Sequence, residues 1–146
     1  MSGFADIGPL PEKVIWQGAT VLARDPDGRV LMQLRDDRAG VAAPGQWCLF
    51  GGAVDPGESL EAAARREFHE ETGIDISGEA LVPLARFASE ALPGGVVHVF
   101  ALRRPVTAGE VLLGEGAGFA FLTRDQVERF NLIGNFRIFL QQLAEF

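Results

Sequence analysis

Glu67, Glu70 and Glu71 crowd together in the stretch RREFHEETGI. In a helix, Glu67 and Glu71 stand one turn apart at i and i+4, and Glu70 falls beside them on about the same 100° arc. Carboxylates placed this way repel one another unless a cation sits among them. Hard oxygen donors of this kind suit a divalent ion such as Mg²⁺ or Mn²⁺. The bland alternative is a solvated, charged helix face. Two features weigh against it. The cluster lies toward the end of the helix where the macrodipole disfavours anions, and a glycine-rich turn precedes the helix, where backbone can come close to a ligand.

The helix itself is expected over LEAAARREFHEET, with Ser59 as its N-cap and Gly73 as its C-cap. A start at Asp55-Pro56 with Glu58 at N3 is the other reading, weakened by Gly57 in the first turn. Upstream, β-rich runs near residues 14 to 24 and 29 to 35 flank DPDG, a hairpin signal in which Asp27-Gly28 supplies positive φ values. Residues 36 to 47, DDRAGVAAPGQW, lack periodicity and read as a loop of functional length. Downstream, ALVPLARFAS and VVHVFALRR are two further strands joined by EALPGG, and a short strand comes next near residues 118 to 122. Thr123 caps a helix beginning RDQVERF. A last helix over NFRIFLQQLAEF gathers Phe136, Phe139, Leu140 and Leu143 on one side, which is expected to be core rather than the surface of a homodimer.

The opening to about Pro11, residues 1 to 11, is expected to be a loose arm, and no repeat or linker divides the rest, so residues 1 to 146 read as one domain. At 47% hydrophobic and 23% charged residues the composition is globular. A net charge of -7 argues against a nucleic acid or an anionic membrane as partner, since nothing would supply the counterion-release term. An anionic ligand would then need a metal or a local arginine cluster. Cys48, the single cysteine, excludes an internal disulfide and reads as a small buried residue in a reducing cytoplasm. Neither a signal pattern nor an apolar run long enough to span a membrane is present, which again suggests a cytoplasmic protein.

The run from Gly52 to Ile74 resembles the Nudix box: a glycine, five residues, a glutamate, seven residues, then R-E-U-x-E-E-x-G-U with U apolar. Gly52, Glu58, Arg66, Glu67, Glu70, Glu71 and Gly73 occupy every fixed position, and Phe68 and Ile74 the apolar ones. One departure lies just upstream, where Phe50 precedes the two glycines in place of a frequent proline. The resemblance implies an α/β fold, a Nudix-like α/β/α sandwich with a mixed central sheet. It implies Glu67 and Glu71 as main metal ligands, Glu70 as a further ligand or base, and the Gly52 carbonyl as an added oxygen. Glu58 and Arg66 match a pair that braces the loop against the helix. A later glutamate often serves such sites as ligand or base, and Glu115 in GEGAGF fits by context, with Glu90 second.

The reaction that the resemblance implies is Mg²⁺-dependent hydrolysis, with Mn²⁺ as an alternative, of the pyrophosphate bond in a nucleoside diphosphate joined to another group. A nucleotide-sensing module without turnover is the alternative, disfavoured by the intact box, and a structural metal site is a third reading. Arg35 and Arg38 are candidates for phosphate or sugar contact. Phe50 and Trp47 are candidates for stacking on a base, although aromatics beside a strand are more often core. His98 alternates with Val97 and Val99 and could face a cleft, with a structural role preferred. Residue types that mark several of the family's substrate classes are missing. Ser89 and Glu90 stand where ADP-ribose hydrolases often carry a proline, and the chain has no tyrosine. Nucleoside triphosphates or nucleotide sugars stay open.

Overall fold

The computed structural model describes residues 3–144. Its strands are β1 (Ala5–Asp6), β2 (Trp16–Leu22), β3 (Val30–Leu34), β4 (Trp47–Cys48), β5 (Phe50–Ala53), β6 (Leu81–Ala88), β7 (Gly95–Leu102) and β8 (Gly118–Leu122). The helices are α1 (Leu60–Thr72), α2 (Arg124–Arg129) and α3 (Gly134–Gln141). Five strands form a mixed sheet in the order β1-β6-β7-β2-β5, and three form an antiparallel sheet in the order β4-β3-β8. Within the large sheet β2 runs parallel to β7 and antiparallel to β5.

Helix α1 forms where good helix formers meet strong end signals. Ser59 accepts a hydrogen bond from the Ala62 N–H at 3.1 Å, and Gly73 takes the left-handed conformation at φ 74° while donating to the His69 carbonyl at 2.8 Å. Its apolar stripe of Ala63, Ala64 and Phe68 packs on Ala19, Val21 and Phe50 of the large sheet. On the opposite face Val127 of α2 and Phe136, Phe139 and Leu140 of α3 pack on Leu22, Phe87, Val97 and Val99. The result is the expected α/β/α layering, with the outward alternation of each strand feeding one core or the other. Each buried Phe or Leu contributes roughly 1.5–3 kcal/mol of hydrophobic stabilisation. The apolar side of α3 is therefore core. No helix among the described residues is long and apolar enough to cross a membrane.

Three expectations need correction. The DPDG turn does reverse the chain, with Asp25 donating its N–H to the Arg29 carbonyl at 2.9 Å, but only Gly28 has positive φ, at 83°. The Asp25 carboxylate organises the turn instead, accepting the N–H groups of Asp27 and Arg29 at 3.0 and 2.9 Å. Beyond the turn the two strands part into different sheets, because β5 and β7 already occupy both edges of β2. The opening segment is not a loose arm throughout: Ala5 and Asp6 pair with Ala85 and Arg86, and the Asp6 carboxylate meets Arg86 Nε at 2.6 Å. The last helix stops at Gln141, short of the expected end. Residues 145 and 146 of that expectation, like residues 1 and 2 of the arm, lie outside the described residues.

Candidate active site

The acidic face of α1 reaches the gap between the two sheets, over the paired glycines of β5. Both glycines are required by space. A Cβ on Gly51 would lie 2.3 Å from the Ala19 carbonyl oxygen, and one on Gly52 would lie 2.5 Å from Glu67 Cδ. The Glu67 carboxylate thus rests on bare backbone, and Glu71 Oε1 accepts the Gly51 N–H at 2.9 Å. Gln33, buried on β3, comes up from the other sheet: its Nε2 donates to the Glu115 carbonyl at 3.0 Å and stands 3.5 Å from Glu71 Oε2.

Arg66 is the hub of the charge network. Its Nε and one terminal nitrogen grip both oxygens of Glu58 at 2.8 and 2.9 Å, and its other terminal nitrogen holds Glu67 at 2.9 Å. It also reaches the Ala53 carbonyl at 3.1 Å, tying β5 to α1. Glu70 lies 3.5 Å from the same guanidinium with most of its side chain in solvent. The hydrogen bonds from Arg66 and from the Asp55 N–H hold the Glu58 carboxyl down at about 2. Its partners keep Arg66 firmly protonated.

Glu71 behaves oppositely. Burial first, then the charges of Glu67 and Glu115, push its carboxyl up to about 8, against the opposing pull of its hydrogen bonds from Gly51 and Gln33. Burial also raises Glu67, with Arg66 pulling the other way. Among the described residues no three acidic, histidine or cysteine groups converge closely enough to hold a metal ion as they stand, since Glu67 leans on Arg66 and Glu71 on Gly51. The donor set nonetheless fits a hard cation. Its groups are carboxylate oxygens, two of them carry raised pKa values from burial and mutual repulsion, and a cation removes that penalty.

Glu67 and Glu71 line a cleft of about 480 Å³. Arg35 and Arg38 line it, as do Glu115, Gly51 and Gly52. Arg35 is fixed by donating from Nε to the Ala42 carbonyl at 2.5 Å, whereas Arg38 is exposed and 3.7 Å from Asp36. Glu58, Arg66 and Glu70 do not line the cleft, Glu70 standing largely in solvent 3.5 Å from Arg66, and Glu90 is exposed beside Gly134 without lining it either. Phe50 is corrected: it is fully buried on the α1 side, edge to face with Phe68 at 6.4 Å, and cannot meet a ligand. Strand alternation explains this, since Leu49 and Gly51 take the cleft side. Trp47 packs against Phe130. Val97 faces the cleft, and His98 points away, bonded through Nδ1 to the Gly18 carbonyl at 3.2 Å and packed against Phe4.

Sequence reasoning passes over Gln33 and Trp16. The signal for Gln33 is an amide interrupting the apolar strand VLMQL, and the signal for Trp16 is its two-residue spacing from Gly18 and Thr20, which line the same cleft.

A family model described as the NUDIX domain matches residues 15–142. A nucleoside triphosphatase NudI of Escherichia coli O1:K1 is 46% identical over 62 residues, which span 42% of this chain and 43% of that protein. The NudI of Escherichia fergusonii is 40% identical over a stretch of the same length. The alignment thus reaches less than half the length of these curated relatives. Among solved structures, a MutT protein from Methanosarcina mazei Go1 superposes with a TM-score of 0.71 at 27% identity, covering 90% of this chain and 94% of that one. A MutT NUDIX hydrolase from Burkholderia pseudomallei gives 0.70 at 26% identity, covering 88% and 98%.

Proposed function

The chain belongs to the Nudix family, and we propose that it hydrolyses the pyrophosphate bond of a nucleoside diphosphate linked to another group, a nucleoside triphosphate before a nucleotide sugar. One observation carries this reading: buried carboxylates on a glycine floor share a single cleft with Arg35 and Arg38. The triphosphatase names of the NudI relatives support the order of substrates.

Glu67 and Glu71 would hold the cation, with Glu70 and the Gly52 carbonyl as added oxygens. Mg²⁺ is the first choice and Mn²⁺ the second. When bound, such an ion supplies charge neutralisation and Lewis acidity at the phosphate oxygens. Everything else falls to the protein. Arg66, braced by Glu58, sets the position of Glu67. The Gly51 N–H and the Gln33 amide orient the two oxygens of Glu71. Arg35, steadied by Ala42, and Arg38, exposed beside Asp36, bind the anionic substrate within the same cleft. A water molecule attacks phosphorus in line, its oxygen forming the new bond as the bond to the bridging oxygen breaks. The Glu115 carboxylate, which lines the cleft, accepts the water's proton, and Glu70 is the second candidate for that role. A small-molecule nucleotide is thus the partner, and a reducing cytoplasm suits the single buried thiol.

Nucleoside triphosphates, nucleotide sugars and dinucleotides are incubated with Mg²⁺ or Mn²⁺ and with chelator, and the products are separated. The expected result is cleavage at a phosphoanhydride that stops with chelator and in Glu71→Gln. Binding of nucleotides with metal but without cleavage across the panel would replace this reading with a nucleotide-sensing one.

A further inference from the structure

We propose that Trp16 is the platform on which the base of the substrate stacks; the inference rests on the proposed function for what the cleft holds. Trp16, Gly18 and Thr20 alternate along β2 and all three line the cleft. Thr20 is paired with Gly51, whose N–H holds Glu71. Trp16 lies four residues further along the same strand face, roughly 13 Å away at the strand rise. That separation is on the scale of an extended nucleotide from its base to its outer phosphates. The carboxylates and the indole therefore sit at the two ends of a slot that one such molecule can span.

The indole is laid flat by its neighbours. Trp16 is paired with Gly95 on β7, and a Cβ there would come within 2.2 Å of the ring. A Cβ on Gly18 would come within 3.1 Å of it. With no side chain beneath it, the ring covers the sheet with one face. Trp16 is only half-buried and lines the cleft, so part of it remains open. Leu92, 52% exposed and also lining the cleft, adds apolar surface for a planar ring.

Covering two glycines does not by itself call for tryptophan. The Trp16 Nε1–H is buried and no acceptor among the described residues meets it. Phenylalanine would cover the same backbone without an unsatisfied donor. What tryptophan adds is a large, polarisable face, which is what stacking on a base uses. The other tryptophan, Trp47, packs on Phe130 outside the cleft.

In a Trp47→Phe background Trp16 is the sole tryptophan of the chain. With Mg²⁺ present, its fluorescence is titrated with a methylene-bridged nucleoside triphosphate and with inorganic triphosphate, and calorimetry repeats both titrations for Trp16→Phe and Trp16→Leu. Quenching by the nucleotide and not by inorganic triphosphate is expected. Trp16→Leu should weaken the nucleotide about 5- to 150-fold and inorganic triphosphate less than about twofold, with Trp16→Phe recovering part of the loss. Equal weakening of both ligands, equal affinity in the Leu and Phe variants, or no binding of the nucleotide would overturn the proposal. These readouts need no turnover. Hydrolysis without a Trp16 effect would sink the stacking proposal alone, and stacking without hydrolysis would sink the hydrolase reading alone.

Discussion

Glu71→Gln should make the metal-free protein more stable at neutral pH. In the fold the Glu71 carboxyl is pushed from 4.5 up to about 8, chiefly by burial and then by Glu67 and Glu115. At pH 7 the unfolded chain releases that proton and the folded one keeps it. The folded state therefore binds more protons throughout the window, and stability falls as pH rises. The contribution is fully present below pH 4.5 and lost as pH climbs toward 8. Each pH unit inside the window removes about 1.4 kcal/mol, so about 3 kcal/mol disappears between pH 5 and pH 7.5. Glutamine is nearly isosteric and still accepts from Gly51, so it deletes this dependence and little else. Denaturant unfolding with chelator, followed at half-unit steps from pH 5 to 8, should give matching stabilities at the acid end. At the neutral end the variant should lead by about 3 kcal/mol. The raised Glu67 is common to both proteins and leaves the difference intact. Two curves running parallel over the whole range would refute the reasoning.

Gly52→Ala would drive a methyl into the Glu67 carboxylate, 2.5 Å away. With the carboxylate displaced by about 1 Å, turnover should fall about 100-fold in a steady-state assay. Arg66→Lys loses the two-pronged grip on Glu58 and the contact with Ala53. Metal affinity, read by calorimetry, should drop about 10- to 100-fold while the circular dichroism spectrum stays unchanged. Cys48, buried and pushed by that burial up to about 11, should resist a thiol reagent at pH 8 in the folded protein and react promptly in denaturant.

Local chemistry makes part of this legible in advance. The caps at Ser59 and Gly73 and the shared face of Glu67 and Glu71 all depend on neighbours within a turn or two. Arg66 and Glu58 are only eight residues apart. The features that escape the sequence depend on distant chain. Gln33 meets Glu71 from 38 positions away, and Asp6 meets Arg86 from 80. Phe50 is core rather than a stacking surface: which face of β5 it takes depends on the pairing of β5 with β2 and on Phe68, both distant in sequence, so the residue type alone leaves both roles open. The parting of β2 from β3 likewise depends on β7, which no local signal near the DPDG turn announces.

The Gln33 amide, joined to Glu71 across 38 residues and to the Glu115 carbonyl across 82, also bears on how the chain folds. Contacts of such sequence separation incur their loop-closure entropy late, after helices and hairpins have formed. Helix α1, with Glu67, Glu71 and the Arg66 brace, can exist early, but Gln33 and the Glu115 segment join Glu71 only when the two sheets have met. Catalytic competence then marks the final step of folding, and recovery of activity during refolding should lag behind recovery of helix signal.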